Sequence, residues 1–378
     1  MECCDVLIVG GGPAGSSLAW KLRNSGLDIV ILDKSTFPRD KVCAGWITPA
    51  VTELLQIDKD EYSRDHVLQP ISGFKTGIMG GAEVLTRYEH TISYGILRNE
   101  FDHYLLRRTG ARLQLGSGLK TMQRENAYWI VNENVKTPLV IGAGGHFCPV
   151  SRFIRKSPGQ NESAVIAQEM EFEMDESQQR ACQVRGDTPE LYFCEDLKGY
   201  GWCVRKGDFL NIGLGREDDR KVTGHVRSFC DYLKAKKRIP ANVPDIFRGH
   251  AYRLYNGASH TLIDDSVMLI GDAAGLAYPK SGEGIRRAVE SALLAADVIL
   301  SVAGDYRRER LLRYPFLLEK RFGRGGGTPG IFPQEIRRFM SRRLLENSWF
   351  SRHIVLDRWF LNIHQPALRE CLSFDGRS

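Results

Sequence analysis

Three glycines at the spacing Gly10-x-Gly12-x-x-Gly15, and an acid at Asp33, are the residues of this 378-residue chain whose types and order most plainly suit chemistry. Gly10 permits a tight turn, Gly12 lets a pyrophosphate approach the backbone, and Gly15 lets a helix lie close on a sheet. Pro13 and Ala14 stand at the start of that helix, whose unpaired N–H groups and dipole favour negative charge. Asp33, about twenty residues on, is placed to accept hydrogen bonds from ribose hydroxyls. A bound dinucleotide is the first inference, set against a glycine-rich turn without ligand.

The surrounding elements decide between the two. The apolar run Asp5–Val9, the helical spacing of Ala14, Leu18, Ala19 and Leu22, and the second run Asp28–Asp33 make one βαβ unit with the glycines at its first turn. Strand, helix and acid agree, which favours the dinucleotide.

Hydrophobic content of 42% and charged content of 26% suit a globular chain long enough for two interlocked domains and an appendage. The first strand begins at Asp5 and no apolar run is long enough to span a bilayer, so the expectation is a cytoplasmic protein. Nine scattered cysteines, without Cys-x-x-Cys or zinc spacing, predict reduced thiols and no structural metal. The net charge of +6 resides in the tail: from Tyr306 onward 15 Arg and Lys face 7 Asp and Glu. No motif supports nucleic-acid binding.

After Asp33 a loop carries Lys34 and then Phe37-Pro38-Arg39-Asp40-Lys41-Val42-Cys43-Ala44-Gly45-Trp46, with basic residues suited to phosphate. Short strands with glycine turns fill 68–94, and Arg98–Arg107 turns helical. Strands follow at 112–115, 121–123 and 128–131, and Leu139–Ile141 leads into Gly142-Ala143-Gly144-Gly145. From Ser163 to Gly215 the alternation reads as an antiparallel sheet walling a pocket. The stretch from Asp218 to Lys237 reads as a charged helix with a solvated face. Val267–Ile270 is a buried strand ending in Gly271-Asp272-Ala273-Ala274-Gly275, and Pro279-x-x-Gly282-x-Gly284-Ile285 opens a long amphipathic helix.

These segments resemble the geranylgeranyl reductase family, within the flavoproteins built like the aromatic-ring hydroxylases. The loop Pro38–Gly45 is similar to the segment that passes beside the isoalloxazine of FAD, which implies FAD contacts for Arg39, Cys43 and Ala44; Lys34, just beyond the nucleotide-binding strand, is placed to meet its phosphate. Arg98 matches an arginine that opens a helix and contacts FAD; an exposed helix-start charge is the plainer alternative. Gly271 and Asp272, then Pro279, Gly282, Gly284 and Ile285, resemble the FAD signature of the superfamily, implying that Asp272 holds the ribityl chain and that Gly282–Gly284 face the pyrimidine end. The second fingerprint departs from the family: Gly144 stands at its Asp, Cys148 at its Ser, and the arginine is Arg152. Tyr200 and Trp202 resemble the cavity motif Tyr-x-Trp-x-Phe-Pro, with Val204-Arg205 in place of Phe-Pro. That change puts a smaller side chain and a charge in the wall. Ordinary sheet packing is the other reading of both aromatics.

The resemblance implies an α/β (α+β) architecture: a Rossmann-like FAD-binding domain (1–67, 95–160, 255–305), an interleaved antiparallel-sheet substrate domain (68–94, 161–254) and a helical, basic C-terminal region (306–378). It implies hydride transfer from reduced flavin to a carbon–carbon double bond of an apolar, isoprenoid-like substrate, with Cys43, Tyr200 and Trp202 nearest the chemistry. Cys43 is read as a flavin tuner or proton relay, or as an inert buried thiol. Glu283 is placed outside the turn. NADPH or another donor would act transiently, since no separate NADPH unit stands out. Arginines interleaved with Phe339, Met340, Trp349, Phe350, Trp359 and Phe360 suit either a membrane surface or plain packing on the catalytic domain. A monooxygenase on the same scaffold is the alternative activity; a halogenase would carry Trp-x-Trp-x-Ile-Pro, which is missing from the sequence. A flavin-binding scaffold without catalysis is the third reading.

Overall fold

The strands Val6–Val9 and Ile29–Asp33 lie parallel, Val6 opposite Ile29, with the helix Pro13–Leu22 between them in sequence. Val140–Gly142 and then Val267–Leu269 extend this sheet in parallel on one side, and Arg112–Leu115 on the other. The two-residue strand Ile263–Asp264 closes the edge antiparallel. Strands covered on both faces have no polar side to show, which is why Val6–Val9, Ile29–Asp33, Val140–Gly142 and Val267–Leu269 are buried and almost wholly apolar, while the edge strand Arg112–Leu115 is not. Gly15 is forced by the packing: a Cβ there would stand 1.9 Å from the Gly10 carbonyl oxygen. The computed structural model describes residues 1–154, 164–217, 222–255, 261–323 and 343–368.

A seven-stranded sheet stands across from the first, in the order 248–253, 164–173, 209–216, 199–206, 190–193, 73–78, 83–87. Its pairings are antiparallel except where Glu190–Phe193 meets Gly73–Ile78. The two faces have different jobs. One is covered by the helix Val222–Ala235 through Val226, Phe229 and Leu233, with Phe229 seated directly over Gly201. The charged, solvated face expected of this stretch is one side of the helix; its other side is buried and carries the packing. Residues 218–221 lie outside the described residues. Alternation along Gly199–Lys206 therefore turns Tyr200, Trp202 and Val204 to the opposite face.

The segment 68–94 divides between two sheets. Leu68–Ile71 pairs with Ser93–Ile96, which pairs with Trp46–Ile47, while Gly73–Ile78 and Glu83–Arg87 edge the seven-stranded sheet. Met122–Glu125, Tyr128–Val131 and Val135–Thr137 form a small separate sheet with Glu2–Cys3. The long helix Ile285–Ser301 is buried along most of its length and packs on Pro13–Leu22.

After Tyr306, the helices Arg308–Leu311 and Arg313–Phe322 join the core of the parallel sheet through Leu311, Tyr314, Leu317 and Leu318. A short helix at Ser348–Phe350 continues into a π-helical stretch, Ser351–Phe360. Its residues Val355, Leu356 and Phe360 pack into the cluster of Trp46, Phe74 and Trp202. Trp349 is 63% exposed and Phe360 is 2% exposed. The breaker Gly325–Gly330, the pair Phe339 and Met340 with its neighbouring arginines up to Arg342, and Cys371 lie outside the described residues. Among the described residues no helix is long and apolar enough to cross a membrane.

Candidate functional site

A cavity of about 570 Å³ lies between the parallel sheet and the free face of the seven-stranded sheet. Gly10, Gly12, Pro13, Ala14, Asp33, Lys34 and Arg39 line it from the dinucleotide side, and Cys43, Ala44 and Arg98 from the loop beside them. Gly15 and Gly271 are buried in the packing beneath, and Pro279 is exposed outside the lining. Asp33 ties the turn together, its Oδ2 accepting from the Gly11 N–H at 2.7 Å and its Oδ1 from the Ser35 N–H at 2.8 Å.

Arg98 is not an exposed helix-start charge: it is 6% exposed and grips Asp102 through Nε and Nη2, both at 2.9 Å. Arg39 reaches the same carboxylate at 3.3 Å and lies over the ring of Phe37. Lys41 lines the cavity as well; burial, reinforced by the charge of Arg98, lowers its ammonium to about 8.

The other end is built by Asp272, Gly282, Gly284 and Ile285, which all line the cavity. Gly282 has φ +71°, and a Cβ there would meet the Tyr252 hydroxyl at 2.3 Å. The Asp272 carboxylate faces Gly284, where the long helix begins without an acid in its first turn. The helix Pro13–Leu22 begins in the same way. Two helix N-termini therefore border one cavity, that of Pro13–Leu22 without a side-chain cap and that of Ile285–Ser301 capped at the Arg286 N–H by Glu283. Glu283 is a correction: it lines the cavity, and its Oε1 accepts the Arg286 N–H at 2.7 Å. Burial raises its carboxyl.

Tyr200, Trp202, Ala167, His250 and Tyr252 form the sheet-side wall. The Tyr200 hydroxyl donates to the Ser281 carbonyl at 2.5 Å, joining the sheet to the turn before the long helix. Trp202 lies over Gly213, where a Cβ would stand 2.3 Å from its ring, and its Nε1 donates to Asn211 Oδ1 at 2.7 Å. The expected charge in this wall is not there: Val204 is buried with the wall aromatics, while Arg205 turns to the other face and donates to the Gly207 carbonyl at 3.1 Å. Of the second fingerprint, Gly144 lines the cavity, Cys148 is buried under it, and Arg152 is exposed.

Four residues that the sequence reading missed hold this region together. The sheet grips the Cys43–Ala44 backbone from both sides: Glu169 Oε1 accepts the Cys43 N–H at 2.6 Å, Asn211 Nδ2 donates to the Cys43 carbonyl at 3.2 Å, and Lys206 Nζ donates to the Ala44 carbonyl at 3.2 Å. Lys206 is fully buried and pairs with Glu171. The Cys43 thiol accepts from the Gly45 N–H at 3.4 Å and lies near the charge of Arg98. Glu169 is 5% exposed, and burial raises its carboxyl to about 7. His250 is the fourth; burial and the nearby charge of Lys41 push it down to about 2, so the ring stays neutral. The visible signal was the alternation of Glu169 and Glu171 with Met170 and Phe172, which shows a polar face without showing what it meets.

The site suits FAD. A glycine turn and an open helix end meet the needs of a pyrophosphate, and the backbone of Gly282 and Gly284 before the second helix borders room for an electron-rich ring system. Asp33, Arg39, Arg98 and Asp272 surround the space between.

Residues 3–315 match the family described as FAD binding domain. The chain is 29% identical over 357 residues to the menaquinone reductase of Mycobacterium tuberculosis, covering 86% of this chain and 82% of that protein. It is 25% identical over 328 residues to the digeranylgeranylglycerophospholipid reductase of Methanocaldococcus jannaschii, covering 82% and 81%. A geranylgeranyl bacteriochlorophyll reductase-like protein from Thermoplasma acidophilum has the same fold, with a TM-score of 0.74 at 21% identity over 99% of this chain and 96% of the other. A flavin-bound halogenase also superposes, with a TM-score of 0.70 at 15% identity over 92% and 78%.

Proposed function

This chain belongs to the FAD binding domain family, and on that premise we propose that it is a reductase that saturates a carbon–carbon double bond of an apolar, isoprenoid-like substrate. The observation that carries the reading is the hydrogen bond from Tyr200 to Ser281. It brings an aromatic sheet wall against the turn that suits the flavin ring, so an apolar chain lying on that wall would be held beside the cofactor. Relatives named as reductases of a quinone and of an isoprenoid lipid support this substrate class.

FAD, held by the residues that line the cavity, would supply the hydride after reduction by NADPH or another transient donor. The chain's own residues do the rest. The N–H groups at the start of Ile285–Ser301 that Glu283 leaves unpaired would stabilise negative charge on the ring, and Trp202 and Tyr200 would orient the substrate against the wall. The Cys43 thiol faces the same cavity and has the role of tuning the flavin or relaying a proton. The basic residues after Tyr306 support contact with an anionic membrane surface, from which a lipid-like substrate is drawn.

The test is stopped-flow absorbance of the photoreduced protein, mixed anaerobically with a prenyl-chain alkene and separately with oxygenated buffer. Alkene-dependent return of oxidised flavin without oxygen is the expected result. Return with oxygen alone, through a transient between the reduced and oxidised spectra, would move the assignment to a monooxygenase.

A further inference from the structure

The cavity of about 570 Å³ has to hold FAD as well as any substrate. A substrate on the sheet side must therefore use the space against Tyr200, Trp202 and Trp46, and what stands behind these rings limits how much chain can enter. Phe360 stands there. Its ring lies edge-on to Tyr200 with centroids 5.2 Å apart, and 6.2 Å from Trp46, which in turn meets Phe74 edge-on at 6.1 Å. Phe360 is 2% exposed, and its cluster is continuous with the wall through Trp202 and Val204.

The segment that carries Phe360 is pinned by polar contacts on both sides of it. Asp357 accepts from the Tyr88 hydroxyl at 2.5 Å, Arg286 donates to the Asn362 carbonyl at 3.3 Å, and Arg321 donates to the Pro366 carbonyl at 2.7 Å. Both arginines are oriented by the buried Glu290. Arg286 belongs to the first turn of the helix that borders the flavin end of the cavity, so Phe360 is held in register with the cofactor. π-helical winding over Ser351–Phe360 is uncommon and tends to mark a position where function sets the side chain's direction.

We propose that Phe360 sets the depth of the substrate site, and with it how far an apolar chain runs past the flavin and which double bond is reached. This rests on the reductase reading above. Removing the ring in Phe360→Ala frees room for about one five-carbon unit directly behind Tyr200 and Trp46; Phe360→Trp fills the same region further.

The experiment uses FAD-loaded wild type, Phe360→Ala, Phe360→Leu and Phe360→Trp. Calorimetric titration with fully saturated linear isoprenoid alcohols, lengthened one isoprene unit at a time, reads binding without turnover. The longest alcohol that binds well should gain one unit in Phe360→Ala, with about tenfold tighter binding of that length than in wild type, and should lose one in Phe360→Trp. If Phe360→Ala does not fold, Phe360→Leu and Phe360→Trp still give opposite shifts. An unchanged length profile in the folded variants overturns the proposal. A second arm mixes the photoreduced proteins with the unsaturated alcohols and locates the saturated bond in the product. A shifted binding profile without flavin reoxidation by any alkene would leave the depth role standing and remove the reductase reading. Reoxidation with the same bond and the same lengths in every variant would do the reverse.

Discussion

Glu169→Gln removes a titrating group from the contact between the sheet and the Cys43 loop while keeping its shape. The carboxyl is 5% exposed, beside Glu171 and Lys206, and burial carries it from an ordinary 4.5 to about 7. The sign follows from the raised value. Below pH 4.5 folded and unfolded chains both hold the proton, and the group has no effect. Between pH 4.5 and 7 the unfolded chain releases it while the folded chain keeps it, so stability falls as pH rises. The full difference is about 3 kcal/mol and is reached near pH 8. Glutamine keeps an oxygen to accept the Cys43 N–H and has no proton to lose. The variant should match wild type near pH 4.5 and exceed it by about 2 to 3 kcal/mol at pH 8. Urea unfolding of both proteins at saturating FAD, from pH 4.5 to 8, reads this as a gap of about 1 M in midpoint that opens with pH. Parallel curves for the two proteins would refute the reasoning, since the carboxyl would then titrate alike folded and unfolded.

Other outcomes follow from single contacts. Gly282→Ala meets both a left-handed backbone and the Tyr252 hydroxyl, so FAD affinity by flavin-fluorescence quenching should drop more than about tenfold, with about 1–2 kcal/mol of backbone strain. Arg98→Met takes the two-point grip off the fully buried Asp102 and leaves it Arg39 at 3.3 Å, and thermal unfolding should show a loss of about 3 kcal/mol or more. Asn211→Leu strips partners from the Cys43 carbonyl and the Trp202 ring nitrogen. It should cost about 2 kcal/mol in urea and shift the flavin absorbance envelope, while Tyr200→Phe should leave stability within about 1 kcal/mol and change the turnover of bound substrate.

The dinucleotide half of the cavity was legible because its signals are local. Gly10, Gly12 and Gly15 act within one turn and one helix, and the run from Val267 to Ile285 carries its strand, its glycines and its helix in continuous sequence. The sheet-side half was not, because its contacts join distant positions. Cys43 meets Glu169 and Asn211, and Ala44 meets Lys206, across more than a hundred residues of chain. Period-2 alternation placed Glu169 and Glu171 on a polar face but could not say that this face looks onto a loop instead of water. Glu283 was misplaced for a related reason: an acid near a helix start reads as solvated, yet here it turns back to cap the Arg286 N–H at the cavity edge. The tail carried a real ambiguity, since an arginine beside apolar residues looks the same whether it meets lipid or, like Arg321, a buried glutamate.

The grip on Cys43 and Ala44 is made through main-chain atoms. Three side chains from the sheet hold the course of the loop, and none of the three bonds depends on what residue 43 or 44 carries beyond its Cα. Inheritance of the scaffold is thereby separated from inheritance of the chemistry. A laboratory selection can exchange the side chain that lines the cavity at position 43 and still keep the three bonds that set the course of its peptide.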